Sequence, residues 1–322
     1  MKIFSFVFLF ALFTSCQNSK THDYTFYYWR THLSLNATEK TALQKATSPY
    51  IYTRFFDIEK ADGKFQPVAV ITKDQTFETN KEIIPVVFIK NEVFYDITSN
   101  EINFLADNIN SLIKKKQTEF GFKISKKIQI DCDWTAGTRK EYFEFLERLK
   151  DFSNKEITCT LRLHQVKNSK LSGIPPVEKV YLMCYSTSSP LENSDRNSIL
   201  DLPTLKNYLK NIDLYPLDMD IALPIYSWGI VTNHVGKHKL INALSAKDLK
   251  NANFKKISDN EVEIMKDGFY FGNFLNKGFT IKVEEISEVQ LKEVKKYLNN
   301  KLPNYAIVYY HLDRRFVTQH QF

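Results

Sequence analysis

Two aspartates that are separated by one residue, Asp131 and Asp133, are the clearest candidates for chemistry in this sequence. They lie in residues 127–133, where Ile128 and Ile130 alternate with polar residues in the pattern of a β-strand. Because side chains alternate across a strand, both carboxylates lie on one face, about 7 Å apart. A pair in which one member has a raised pKa can perform acid–base chemistry, and separated carboxylates suit glycoside hydrolysis. A buried salt-bridge network is the alternative interpretation.

Polar side chains recur on the corresponding face of the next two predicted strands. Arg162 and His164 share a face of residues 158–164, and Tyr185 lies on the equivalent face of residues 179–186. The opposite, apolar face of the three strands carries Cys132, Cys159 and Cys184. We expect Arg162 and His164 to orient the two carboxylates or contact a substrate, and Tyr185 to hydrogen-bond it.

Four further candidates stand near the ends of other predicted strands. Trp228 closes residues 219–228, where its indole could stack on the apolar face of a sugar ring or simply fill the core. Arg54 and Asp57 end an early strand and His311 ends the last one, where they either contact a substrate or form surface ion pairs.

The elements that must position these residues alternate along the chain. Apolar strands followed by amphipathic helices predict βαβ units and a parallel sheet. About eight strands in about 290 residues fit an α/β fold of the (β/α)₈, or TIM-barrel, type, and an open doubly wound sheet is the alternative. In a barrel the candidate residues would meet at the carboxyl ends of the strands, where active sites form. We expect one domain over residues 24–322, with the polar stretch 238–278 as a C-terminal insertion.

The amino terminus has the pattern of an export signal. Residues 1–15 contain one lysine, then an apolar run too short to span a membrane, then small residues. Phe13-Thr14-Ser15-Cys16 resembles the lipobox of bacterial lipoproteins, which implies a lipid such as palmitate on Cys16 and a tether over residues 16–23. An ordinary secretory signal is the alternative. Gln17 stands where inner-membrane retention would place Asp, so we expect the outer membrane of a bacterial cell envelope.

Composition and charge limit the partners, metals and cofactors that we expect for the chain. The net charge is +7, and the basic residues are scattered, so no nucleic-acid partner is expected. Three cysteines besides Cys16 cannot pair completely, and no Cys/His cluster has metal-ligand spacing. With 9 glycines and no phosphate-binding loop, no cofactor is expected, and the chain is predicted to be a monomer.

Two motifs resemble those of chitinase-like glycoside hydrolases. Residues 128–135 (IQIDCDWT) look like the DxxDxDxE motif of their fourth strand, and residues 182–185 (LMCY) look like the Met-x-Tyr of their sixth. Trp228 also fits their late-strand tryptophan. The chain as a whole resembles lipoproteins of Bacteroidetes-type bacteria that carry a glycoside-hydrolase-like barrel. The resemblance implies a carbohydrate polymer as the partner.

The chain departs from the chitinase-like motif at two positions. Thr135 stands where the motif has its acidic Glu, and Ile128 stands where it has its first Asp. Either another carboxylate, Asp133 or Asp57, is therefore the acid, or the barrel binds a glycan without cleaving it.

Overall fold

Eight parallel strands form a closed ring in the computed structural model, which describes residues 21–192 and 195–322. In chain order they are β1 (Tyr24–Tyr28), β2 (Tyr50–Ala61), β3 (Glu82–Ile89), β4 (Lys127–Asp131), β5 (Glu156–Leu161), β6 (Lys179–Met183), β7 (Asp218–Pro224) and β8 (Ile307–Tyr310). Strand β1 pairs with β2 on one side and with β8 on the other, which closes the barrel. The prediction of a (β/α)₈ barrel is confirmed, and the open doubly wound sheet is not the observed fold.

Helices cover the outside of the barrel. They are α1 (Ala37–Lys45), α2 (Ser99–Phe120), α3 (Arg139–Ser153), α4 (Leu163–Lys167), α5 (Ser169–Ser172), α6 (Leu202–Tyr208), α7 (Glu288–Asn299) and α8 (Arg314–Val317). Thr98 begins α2 by accepting a hydrogen bond from the Glu101 amide, and Gly121 ends it in the left-handed conformation. Buried residues at three- and four-residue spacing then direct one face of α2 towards the core.

Alternation along the strands separates a polar barrel interior from an apolar outer layer. Inside the barrel the Tyr27 hydroxyl donates to Gln129 at 2.8 Å, and the hydroxyls of Tyr52 and Tyr181 lie 2.6 Å apart. On the outside of β5, Cys159 is fully buried and contacts Tyr142 of α3. The cysteines therefore face the helices, as the alternation of side chains requires.

Several predicted strands end earlier than expected, among them the strand predicted over residues 179–186, which ends at Met183. The strand predicted over residues 158–164 ends at Leu161, because the Arg162 amide donates to the Gln165 side chain and begins α4. The strand predicted over residues 127–133 ends at Asp131. The strand predicted over residues 219–228 ends at Pro224, and a proline lacks the N–H that a central strand needs.

A separate antiparallel sheet is inserted between β7 and β8. Its strands are Trp228–Thr232, His238–Asn242, Phe254–Lys256, Glu261–Ile264 and Thr280–Glu284. A separate hairpin of Gly268–Tyr270 and Asn273–Leu275 lies between the last two of these strands in the chain. Val231, Ile264 and Ile281 belong to its own buried cluster. The inserted sheet is longer than the predicted insertion of residues 238–278, and it is regular rather than irregular. Trp228 begins this sheet and does not close a barrel strand.

Shorter elements complete the described chain. Strand Lys64–Val68 pairs antiparallel with the end of β2, and His32–Leu33 pairs with Thr72–Lys73. Within residues 21–192 and 195–322, no helix is long and apolar enough to cross a bilayer. The signal segment and Cys16 lie outside the described residues.

Candidate functional site

A cavity of about 520 Å³ opens at the carboxyl ends of the barrel strands. Seven of the predicted site residues line it: Arg54, Asp57, Asp131, Arg162, Tyr185, Trp228 and His311. Asp133 adjoins the cavity through its ion pair with Arg162. His164 is not brought to the cavity, because β5 ends before it and places it on an exposed turn of α4. No group of three potential metal-ligating side chains occurs among the residues that the structure describes.

Asp131 is the buried carboxylate of the site. It ends β4, is 8% exposed, and accepts a hydrogen bond of 2.6 Å from the Thr160 hydroxyl. Burial raises the pKa of Asp131 to about 6, and the nearby carboxylates of Asp133 and Asp57 act in the same direction. The Thr160 hydrogen bond and the Arg162 charge oppose this rise without cancelling it. Asp131 therefore carries a proton more readily than an exposed aspartate does.

Asp133 forms a two-point ion pair with Arg162. The Arg162 Nε and Nη2 atoms donate to the two carboxylate oxygens at 2.5 and 2.7 Å. Burial alone would lower the pKa of Arg162, but the Asp133 carboxylate raises it above its usual value. Asp133 thus forms a salt bridge, but its side chain is 41% exposed, so the pair is not the buried network of the alternative interpretation.

Arg54 and Asp57 form a second pair of the same kind on β2. Arg54 Nε donates to Asp57 Oδ1 at 2.6 Å, and Nη2 donates to Oδ2. A β-bulge between Arg54 and Phe56 shifts the register of the strand, so residues three apart reach the same face. The Arg54 guanidinium also lies 5.6 Å from the ring centre of Trp29, whose carbonyl it contacts.

Aromatic rings form the rest of the cavity wall. Tyr185 stacks on Tyr310 with ring centres 5.5 Å apart, and Tyr226 lies 5.3 Å from Trp228. Trp29 meets Tyr310 edge-on at 5.5 Å. Sequence reasoning missed Tyr226 and Tyr310, although each lies within two residues of a residue that was singled out.

A buried carboxylate fixes the indole of Trp228. Trp228 Nε1 donates to Glu284 Oε2 at 2.9 Å, and Glu284 is 3% exposed. Glu284 also accepts hydrogen bonds from the Ser198 amide at 3.0 Å and the Lys282 ammonium at 3.1 Å. These contacts join the inserted sheet to the loop that precedes α6. Glu284 carried no sequence signal, because its partner Trp228 is 56 residues away.

His311 contributes a neutral imidazole to the cavity. Burial lowers its pKa to about 4, and its Nδ1 atom has no hydrogen-bond partner among the described residues. The neighbouring Asp313 instead accepts from the Arg315 guanidinium at 2.9 and 3.0 Å, so it does not pair with His311 Nδ1, which is buried.

Thr135 does not supply an acid to the site. It is exposed in the turn before α3, where its amide donates to the Thr138 hydroxyl at 3.0 Å. Both oxygens of Asp57 and both of Asp133 are occupied by a guanidinium. Only Asp131 among the lining and adjoining aspartates keeps an oxygen without a partner in the described part of the chain.

The fold is shared with chitinase-like glycoside hydrolases, although no family model and no curated protein sequence matches the chain. The Bacillus cereus spore cortex-lytic enzyme SleL is 14% identical with a TM-score of 0.56, over 92% of this chain and 72% of that one. The C-terminal domain of a putative chitinase from Desulfitobacterium hafniense is 13% identical with a TM-score of 0.58, over 93% of this chain and 97% of that one. A chitinase from Chromobacterium violaceum is 11% identical with a TM-score of 0.53, over 93% of this chain and 98% of that one. At these identities the similarity shows a common barrel fold.

Proposed function

We propose that this chain is a lipid-anchored lipoprotein whose barrel mouth binds a carbohydrate polymer of the cell envelope or the extracellular space. The observation that carries the proposal is the cavity of about 520 Å³ in which aromatic rings stand beside two arginine–aspartate pairs. Sugar rings have apolar faces that stack on indole and phenol rings, and hydroxyls that hydrogen-bond to charged groups. The chitinases and the cortex-lytic enzyme that share the fold support a glycan as the ligand class.

Binding without cleavage fits the positions of the carboxylates better than hydrolysis does. Glycoside hydrolysis needs a carboxylic acid that protonates the leaving oxygen. Thr135 occupies the motif position of that acid, and a threonine hydroxyl is far too weak an acid to replace it. Asp57 and Asp133 are each bound at both oxygens by an arginine, so either can accept a substrate hydroxyl only through its remaining lone pairs, in addition to the ion pair.

Hydrolysis with Asp131 as the acid is the second candidate. A pKa of about 6 leaves roughly a tenth of the Asp131 carboxyls protonated at pH 7. Asp131 also lines the cavity directly. This candidate requires the substrate to reach a side chain that is 8% exposed, at the bottom of the mouth.

A binding and digestion assay separates the two candidates. The purified chain would be titrated with N-acetylchitopentaose and with solubilised envelope and extracellular polysaccharides, and the supernatants would be analysed for products by mass spectrometry. We expect binding without product for the natural chain, and loss of binding for Trp228→Ala. Phe104→Ala is the matched control, because Phe104 is an exposed aromatic residue on α2 outside the cavity.

Each outcome of this assay has a defined meaning. Release of product that Asp131→Asn abolishes would establish the second candidate instead of the first. An equal loss of binding in Trp228→Ala and Phe104→Ala would place the glycan site elsewhere. The absence of binding to every polysaccharide tested would contradict a carbohydrate partner.

The lipid anchor has its own test. Cells that express the chain would be fed an alkyne analogue of palmitate, and we expect the label on the protein and the protein in the outer-membrane fraction. The absence of label, or a label that survives Cys16→Ala, would rule out the anchor without affecting the glycan assay.

A further inference from the structure

A second cavity, of about 850 Å³, lies on the outer side of β1 and β8, between these strands and α7. Tyr24 and Ile307, the first residues of β1 and β8, belong to its lining together with Tyr309 and Phe322. The rings of Tyr309 and Phe322 meet with centres 4.9 Å apart, so the cavity has an apolar floor.

Three lysines of α7 form the rim of this cavity. Lys292 and Lys296 are exposed, and Lys295 is half-buried, so burial lowers its pKa. Among the described residues, none of the three has an ion-pair partner, and no aspartate or glutamate lines the cavity. Of the acidic residues nearby, Glu288 contacts His320 at 3.0 Å and also acts electrostatically on Lys295. A cationic rim above an apolar floor is the arrangement that suits an amphiphile with a negatively charged head.

The chain enters the barrel at the edge of the same cavity. His22 hydrogen-bonds through its two ring nitrogens to the Tyr305 carbonyl at 3.0 Å and to Asn299 at 2.8 Å, and it stacks on the Tyr305 ring at 4.0 Å. Asn299 is the last residue of α7, so this entry point is fixed beside the three lysines. Cys16 precedes His22 by six residues, which reach at most about 20 Å when fully extended.

We propose that this basic face, formed by Lys292, Lys295 and Lys296 around the cavity, docks on anionic lipid headgroups of the membrane that carries the anchor. The inference rests on the lipid anchor at Cys16 that is part of the proposed function. A tether of this length holds the entry point within about 20 Å of the bilayer, so the face beside it is the face that meets the headgroups. Its charge is opposite to that of phosphate-bearing lipids, which attract surface lysines strongly.

This docking would leave the glycan site accessible. The basic face lies on the outer side of the barrel beside α7, whereas the glycan cavity lies at the carboxyl ends of the strands. The glycan cavity would therefore stay clear of the docked face and remain open to the polymers that surround the membrane.

Vesicle co-flotation tests the basic face separately from the anchor. The full chain with Cys16→Ser removes the lipid, and vesicles of phosphatidylcholine with and without phosphatidylglycerol vary only the charge. Binding through the apolar signal segment would contribute to both vesicle types, so the readout is the ratio of the two affinities. We expect the ratio to fall about fivefold for each lysine removed, and on the order of 100-fold for Lys292→Gln, Lys295→Gln and Lys296→Gln together.

A matched variant controls for net charge. Lys237→Gln, Lys239→Gln and Lys247→Gln remove three exposed lysines of the inserted sheet and should leave the ratio unchanged. Because Lys295 is half-buried, the double variant Lys292→Gln, Lys296→Gln tests the same face if the triple variant does not fold.

The outcomes distinguish the anchor from the surface. Docking would be overturned if the chain with its natural lysines bound charged and uncharged vesicles equally, or if the ratio of the two affinities fell equally in both triple variants. This holds even if Cys16 is labelled by the palmitate analogue. Lysine-dependent binding of inorganic phosphate without preference for charged vesicles would also overturn it. Loss of the label with a preserved lysine-dependent ratio would remove the anchor and leave the lipid-binding face.

Discussion

Replacing Asp131 by asparagine should stabilise the protein at pH 8 and leave its stability nearly unchanged at pH 4. The folded protein raises the pKa of Asp131 from 3.8 to about 6, because burial disfavours its ionised form. A carboxyl with a raised pKa favours the fold below the unfolded pKa, and this contribution is lost as the pH rises through the folded pKa. The gap between the two values corresponds to about 3 kcal/mol at pH 8.

Asparagine removes this ionisation and keeps the local geometry. Its side-chain oxygen can still accept the 2.6 Å hydrogen bond from Thr160, and its volume is almost the same. The free energy of unfolding of Asp131→Asn should therefore exceed that of the natural chain by about 3 kcal/mol at pH 8, and the excess should shrink between pH 6 and pH 4.

Urea unfolding at several pH values measures this difference. Asp107→Asn is the control, because Asp107 is exposed on α2 and lies outside the cavity. A difference between Asp131→Asn and the natural chain that is independent of pH, or a loss of stability at pH 8, would refute the account of Asp131 as a buried and reluctantly ionised carboxylate.

Three further predictions concern the surroundings of the site. A double-mutant cycle of Asp133→Asn and Arg162→Met should give a coupling of about 1 kcal/mol in urea unfolding, since both side chains are about a third exposed; a coupling near zero would show that the pair is not formed. Glu284→Ala removes the acceptor of the Trp228 indole N–H and should weaken glycan binding several-fold, and it should have no additional effect in a Trp228→Ala background. Tyr181→Phe leaves a buried hydroxyl on β2 without its partner and should cost about 1–3 kcal/mol of unfolding free energy, so an unchanged denaturation midpoint would contradict that contact.

The barrel could be predicted from sequence because its strands are buried and alternate regularly. In β4, Ile128 and Ile130 face the helix layer while Gln129 and Asp131 face the interior, and each side is readable from the residue types alone. The same alternation predicted that Arg162 would lie near the carboxylates. In the structure Arg162 forms an ion pair with Asp133 just beyond the ends of β4 and β5.

The limits of each strand and the inserted sheet could not be read from the same pattern. Apolar residues continue past Pro224 to Trp228 without a change of period, although the chain changes sheet between them. The inserted strands have three to five residues and alternate with polar turns, which resembles irregular chain in sequence. Contacts such as that of Glu284 with Ser198 join residues 86 positions apart, and a pattern of neighbouring residues cannot predict them.

The two arginine–aspartate pairs are the physical reason for proposing that this barrel mouth holds a glycan and does not cleave it. An acid catalyst must gain and lose a proton during each turnover, and a carboxylate bound at both oxygens by a guanidinium is stabilised in its ionised form. Asp57 and Asp133 are bound in this way by Arg54 and Arg162, so each pair is a fixed group of hydrogen-bond donors and acceptors. Such rigid charged groups beside aromatic rings favour orientation of a ligand, because little order must be created when it binds. Under the proposed lipid anchor, such a mouth would hold a polymer at the surface without shortening it.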